Sequence, residues 1–496
     1  MKKYIINSLL LLLAPIFAAC FSDKTTDPTL PISEITVSGI KEVYNIGKND
    51  SLVIKPVISQ SIQGKDITYL WEMNLENYST DKNFEYLGKE LGKYNCRFIA
   101  ENEDGKTIVP FTLYVNSPYE EGITIISEDK NGRPMLSFMQ VALEEGDKAE
   151  FIQGDCFAHN NPNEFFASYP TDIVQSGGRL VISCKGKDGG NDVPSIYYID
   201  EKTMVVENII TAPEFPDFVP TILGILSETN RGSAYPILSE NGKVYEYSPS
   251  EATIAEPRKL HSEYAQACII DSGTYPNLIF WDNNIGNLAQ IYNYNGPYYC
   301  GTKYHTTLED CKNGLGFFND CQFITMRSIH RAPDQYNTLQ KFIIITQTDA
   351  VINSRIIAAC FWDHNYDTGE NYLVHNGDAK IVGAILSPIN EKTPSVANGT
   401  YNSMLYADGN KVRRWYYMTD QHISEADVIA ELGSKDAIIT AFEISEDNTL
   451  TYVAYYEPAE EGLNGYMSII DSDTGKVLDT YNNISYKAVK MIYKQR

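Results

Sequence analysis

Residues 277–295 read NLIFWDNNIGNLAQIYNYN: an apolar strand-like run, a polar turn rich in Asn, Asp and Gly, then a second apolar and aromatic run. That form alone predicts a β-hairpin. It recurs along the chain in RLVISCKGKDGGNDVPSIYYID (179–200), YPILSENGKVYEYS (235–248), IIAACFWDHNYDTGENYLVHN (356–376), SMLYADGNKVRRWYYMT (403–419) and LTYVAYYEPAEEGLNGYMSIID (450–471). One position in each second run, Ile199, Tyr247, Tyr294, Val374, Met418 and Ile470, recurs at gaps of 48, 47, 80, 44 and 52 residues. In the first runs, Trp281, Trp362 and Tyr406 recur at gaps of 81 and 44. Four of the five gaps match the roughly 40–50 residues of a four-stranded propeller blade.

A further unit, MLSFMQVALEEGDKAEFI (135–152), fits upstream and brings the total to seven. Units of this kind hide their sheet edges by closing into a ring. The expectation for 120–496 is therefore a seven-bladed β-propeller, with a large β-sandwich as the competing reading. The 80-residue gap predicts an insertion around 298–340. That stretch holds Cys300, Cys311 and Cys321, candidates for a disulfide whose pairing the sequence leaves open. Cys184, Cys268 and Cys360 lie in apolar runs, where a thiol behaves as a small core hydrophobe.

Residues 32–118 carry shorter alternating segments. Tyr69-x-Trp71 places a core Trp on one strand, and Tyr94 stands two residues before Cys96 on a later one, as in immunoglobulin-like sandwiches. No cysteine near 52–58 could complete the usual inter-sheet bridge, so Cys96 is expected to be a free core thiol.

Lys2 and Lys3 precede an apolar stretch ending at Phe17, two alanines and Cys20, the pattern of a secretory signal. The stretch is too short to span a bilayer comfortably. Phe17-Ala18-Ala19-Cys20 resembles the bacterial lipobox, with Phe17 where Leu is usual. The resemblance implies cleavage after residue 19, a lipidated Cys20 and a tether over 20–31. An ordinary secretory peptide is the alternative. Loss of 1–19 removes two lysines and no acid, taking the net charge from −25 to −27. Such acidity speaks against nucleic acid and against electrostatic attachment to anionic lipid, leaving acyl chains as the anchor.

The order YxW … LGxYxCxFxAENEDGKT beside a lipid tether resembles the PKD-like family of Bacteroidetes lipoproteins. That resemblance implies an outer-membrane protein displayed at the cell surface, an accessory of SusC/SusD-type importers that binds an oligosaccharide or peptide nutrient or docks on the transporter. A propeller hydrolase or lyase acting on the same polymer is the second reading, and an adhesive scaffold the third.

No cofactor, metal or catalytic residue is indicated. Asp363–Glu370 begins like a calcium loop, but Gly369 falls seventh rather than sixth and position twelve is Val374. Turn chemistry explains it. No nucleophile elbow, His-Glu-x-x-His pair or phosphate loop occurs. The seven histidines are scattered; His364 and His375 flank one hairpin and could face each other. Lipidation is directly testable: Cys20→Ala should abolish incorporation of labelled palmitate and leave an uncleaved, slower-migrating precursor on gels.

Overall fold

The computed structural model describes residues 31–495 except 142–149, 153, 188–189, 225–234, 249–252, 256–265, 270–276, 284–285, 293–294, 300–317, 319–320, 331–340, 366–369, 376–379 and 385–386. Cys20 and nearly all of the tether lie outside these residues, as do Cys300, Cys311 and Tyr294. The chain divides into two units, 1–117 and 118–496.

The first unit is a β-sandwich. One sheet runs Val43–Gly47, Gly105–Asn116, Gly92–Asn102, Thr68–Met73 and Glu76–Ser79, with the first pair parallel and the rest antiparallel. Two short ladders, Ile35–Ser38 with Val57–Gln60 and Ser51–Ile54 with Phe84–Leu87, bring Ile35, Ile54 and Phe84 into one core with Trp71, Phe98 and Phe111. Trp71 is fully buried, 4.3 Å from the Phe98 ring centroid and 5.0 Å from that of Phe84. Its indole N–H donates to the Asp81 carbonyl at 2.9 Å, as a buried Trp requires. The Tyr94 hydroxyl donates to the Glu90 carbonyl at 2.9 Å, a tyrosine corner. Cys96 is a buried free thiol, pushed up to about 11 by desolvation. A thiol so held is inert packing rather than a nucleophile.

The second unit is a seven-bladed β-propeller. Blade 1 is ordered Glu150–Ile152, Pro134–Gln140, Gly122–Glu128 and Lys487–Lys494 from outside to inside. Its innermost strand comes from the far end of the unit. Blades 2, 3 and 4 occupy Pro170–Ile210, Pro220–Ala255 and Gln266–Tyr299, each four strands in sequence order. Blades 6 and 7 occupy Ser395–Glu431 and Ile438–Ser485 in the same way. The inner strands contact one another in turn: Lys487–Lys494, Pro170–Ser176, Pro220–Leu223, Gln266–Ile269, Gln322–His330, Ser395–Asn398, Ile438–Ile444, and back to Lys487–Lys494. The ring is closed.

Blades 1, 2, 5, 6 and 7 are covered on both faces, which explains apolar runs too continuous for a half-exposed strand. In Ser195–Asp200, Ile196 and Tyr198 pack toward blade 3 while Tyr197 and Ile199 pack toward blade 1. In Lys341–Gln347, Ile343 and Ile345 face blade 6, and Phe342 and Ile344 face blade 4. Leu450–Tyr456 repeats the arrangement, with Val453 and Tyr455 toward blade 6 and Tyr452 and Ala454 toward blade 1.

Blade 5 departs from the sequence reading. Its strands are Gln322–His330, Lys341–Gln347, Val351–Asn365 and an outer edge formed by Lys380–Ala384 and Glu370–His375. Val374 thus lies on the outermost strand, whereas Ile199, Tyr247 and Ile470 lie on the third. The hairpin at 356–376 exists but sits one strand further out than its counterparts. The interval 298–340, read as an insertion, contains the innermost strand of the blade. The cause is physical: the two outer hairpins of an antiparallel blade have the same apolar-turn-apolar form.

Closure rests on Lys487–Lys494, whose Met491 is 1% exposed between blades 7 and 1. Met491→Ala should destabilise the propeller by about 2–5 kcal/mol, read as a lower denaturant midpoint of its unfolding transition.

Candidate binding groove

Antiparallel blades present two sets of loops, at opposite ends of the strands. On the end where the inner strands begin, the described residues form a groove of about 880 Å³. Three segments build it: the blade 1 turn at 128–132, the blade 7 loop at 456–464, and the chain entering the inner strands at Tyr169 and at Tyr486-Lys487.

Tyr169 decides its character. Its φ is +56°, a region costly for a bulky residue and disfavoured again because Pro170 follows. The cost is of order 1–3 kcal/mol. Surrounding hydrogen bonds impose it: the Tyr169 amide donates to the Gly132 carbonyl at 2.7 Å, and its carbonyl accepts from the Lys185 amide at 2.9 Å. One residue earlier, Asp192 accepts from the Ser168 amide at 2.8 Å and from its hydroxyl at 2.7 Å. The residue is left 40% exposed, with the Lys187 ammonium 5.6 Å from the ring centroid. Gly132 must be glycine, since a Cβ there would lie 2.1 Å from the Tyr169 ring and φ is +77°.

The opposite wall is acidic. Glu460 accepts from the Tyr466 hydroxyl at 2.5 Å, and Glu461 and Tyr456 stand beside it. The loop is braced at its base, where the Glu457 carboxylate accepts from the Ser434 amide at 2.7 Å and its hydroxyl at 2.6 Å. Across the groove, burial opposes the Asp129 charge, but amide hydrogen bonds from Arg133 and Asn131 hold its carboxylate below the usual range. Lys487 pairs with Glu128 at 3.2 Å. Aromatic faces, carboxylates and lysines are thus interleaved, a lining suited to a polyhydroxylated or mixed-polarity oligomer.

No family model matches the chain, and no curated protein matches it. Among solved structures, it is similar to a quinoprotein alcohol dehydrogenase-like protein from Bacteroides thetaiotaomicron, at 15% identity over 94% of this chain and 100% of that one, with a TM-score of 0.45. TolB from Acinetobacter baumannii matches at 9% identity, covering 82% of this chain and 81% of that one, with a TM-score of 0.35. Apo AztD from Citrobacter koseri matches at 12% identity, covering 86% and 98%, with a TM-score of 0.38.

Of the residues singled out in the sequence, Cys321 is a half-buried free thiol packed near Trp281. His364 pairs with Asn371 and His375 with Ile357, so the two histidines are not cross-strand partners. His330 is drawn into a structural cluster, its Nδ1 2.6 Å from the Asn448 side-chain oxygen. Among the described residues, no three metal-ligating side chains converge. The groove itself was missed. Its sequence signals were a long loop, EPAEEGLNG, and the turn DKNGRP.

The inner strands also carry charge. Asp172 pairs with Lys490 of the neighbouring blade and accepts from the Leu223 amide at 2.8 Å. Glu443, half-buried on the inner strand of blade 7, is raised to about 7 by desolvation, which a hydrogen bond from the Ile444 amide at 3.1 Å and the charge of Lys490 only partly offset. In the unfolded chain this carboxyl titrates near its ordinary 4.5. The folded state therefore holds the extra proton between these values, and stability falls as pH rises through that window. One pKa unit is worth about 1.4 kcal/mol, so the loss is on the order of 3 kcal/mol. Glu443→Gln should flatten this dependence and leave the variant more stable than the parent at pH 8 but not at pH 4, as measured by denaturant unfolding at both.

Proposed function

We propose that this protein is a lipid-anchored accessory of a SusC/SusD-type nutrient importer, displayed on the outer membrane, whose propeller captures an oligosaccharide in the Tyr169 groove. One observation carries the binding assignment: a bulky, exposed ring held at positive φ over a groove lined by carboxylates. Strain of this kind persists only where the surroundings enforce it, and such positions cluster at ligand-binding sites. Tyrosine faces stack on the C–H face of a sugar ring, and carboxylates accept from its hydroxyls. The lipobox-like run at Cys20 supports lipidation, and the resemblance of the sandwich to the PKD-like lipoproteins supports surface display and the importer partnership.

Binding without turnover is the reading the groove favours, because its chemistry is that of contact. Three of its carboxylates, Glu128, Asp129 and Glu460, are each committed to a partner within the fold.

Tyr169→Gly is the incisive variant. Glycine relieves the strain, so the thermal transition should stay level or rise, while oligosaccharide affinity measured by calorimetry falls at least tenfold. Unchanged affinity, or binding only to peptides, would contradict the proposed ligand. Release of cleaved sugars, read by mass spectrometry, would contradict binding without turnover. The partnership is tested separately, by whether the importer co-purifies from solubilised outer membrane.

A further inference from the structure

The sandwich carries a feature of its own at Glu76–Ser79, the edge strand of its five-stranded sheet. The pairing of that strand with Thr68–Met73 slips by one residue. Trp71 lies opposite Ser79 and Glu72 opposite Asn77, so Tyr78 is an extra residue with no cross-strand partner. A bulge of this kind bends the strand and re-aims the side chain it carries. Tyr78 is 43% exposed as a result.

The ring is nonetheless fixed. Its hydroxyl donates to the Glu85 carbonyl at 2.7 Å, and the ring centroids of Phe84 and Tyr86 lie 5.2 Å and 5.8 Å away, one tilted and one edge-on. A platform already held in place loses little side-chain entropy when a ligand stacks on it.

This ring forms one wall of an open depression of about 630 Å³, lined otherwise by Ser79, Asp81, Lys82, Asn83 and Glu85. The fold uses two of these side chains: the Ser79 hydroxyl donates to the Asp81 carboxylate at 3.2 Å and accepts from the Asp81 amide at 3.0 Å. The Asp81 carbonyl, which accepts from the buried Trp71 indole, ties the loop to the core. Lys82, Asn83 and Glu85 are exposed, and among the described residues their side chains make no hydrogen bond or ion pair. An ammonium, a carboxamide and a carboxylate thus stand uncommitted beside a fixed aromatic face.

Sugars and peptides both stack on tyrosine, and two observations favour the sugar. A peptide adding as a further strand needs a regular row of backbone groups, which the bulge at Tyr78 interrupts. The depression also offers no apolar pocket for a peptide side chain, since Tyr78 is the one non-polar surface in its lining. A sugar ring asks for what is present: a flat face for its C–H groups, with donors and acceptors together for hydroxyls that both donate and accept.

We propose that this depression is a carbohydrate-binding site on the sandwich, with a pyranose ring stacked on Tyr78 and its hydroxyls bonded by Lys82, Asn83 and Glu85. The assignment does not rest on the propeller groove.

The test is calorimetry on the whole protein carrying Tyr169→Gly, titrated with cellohexaose, xylohexaose, mannohexaose and maltohexaose. At least one of these neutral sugars should bind. Adding Tyr78→Ala should weaken that binding about fivefold or more, and adding Asn83→Ala about threefold, whereas Tyr78→Phe keeps the stacking face and should stay within about twofold. Asn83 is exposed and lies outside the strands, so its variant reads the contact without disturbing the sandwich. Because every protein in the series already lacks the Tyr169 ring, loss of binding through Tyr78 is read separately from failure of the groove. No binding of any of these sugars, full affinity in both Tyr78→Ala and Asn83→Ala, or binding of hexaproline in place of the sugars would overturn the proposal.

Discussion

The pairing of Lys487–Lys494 with Gly122–Glu128 joins segments 359 residues apart and turns a row of seven blades into a ring. Closing a flexible loop of that length costs about 5 kcal/mol of chain entropy. The strand offsets that cost with a ladder along its whole length and with two buried faces: Ala488 and Met491 packed into the interface with blade 7, Val489 and Ile492 into the interface with blade 2. Without closure, blade 1 lacks its innermost strand and blade 7 loses its neighbour. The groove at Tyr169 lies beside this strand, at one of its ends. The site geometry is thus a consequence of how the ring is sealed.

Much of the architecture was legible in the sequence because blade strands are buried on both faces. Runs such as FIII (342–345) and IIAAC (356–360), set off by Gly- and Asn-rich turns, have no comfortable place in a half-exposed sheet. The sandwich was legible through Trp71, Tyr94 and Cys96, whose spacing reflects contacts made in nearly every fold of this kind. Blade 5 was misread by one strand because period and turn chemistry do not distinguish the second hairpin of a blade from the third. Only pairing partners do, and a single sequence does not contain them.

The groove was not legible, for a different reason. Its lining is gathered from segments near 130, 169, 460 and 487, and no local pattern announces their meeting. The decisive feature, a tyrosine at positive φ before a proline, violates local preference and so looks like an ordinary strand start. Glu443 was equally silent: within AFEIS it has the look of a solvent-facing strand residue. Its desolvation comes from inner strands that converge on the axis. The residues that break local rules are the ones the fold holds in place by tertiary contacts, and here they lie on or beside the inner strands.

Hydrogen exchange followed by mass spectrometry tests the closure directly. If the C-terminal strand seals the ring, amides of Lys487–Lys494, Gly122–Glu128 and Ile438–Ile444 should exchange together and only through global unfolding of the propeller, with one shared dependence on denaturant. Fast exchange of Lys487–Lys494 while Ile438–Ile444 stays protected would contradict the account, since the strand would then be an appendage rather than the seal.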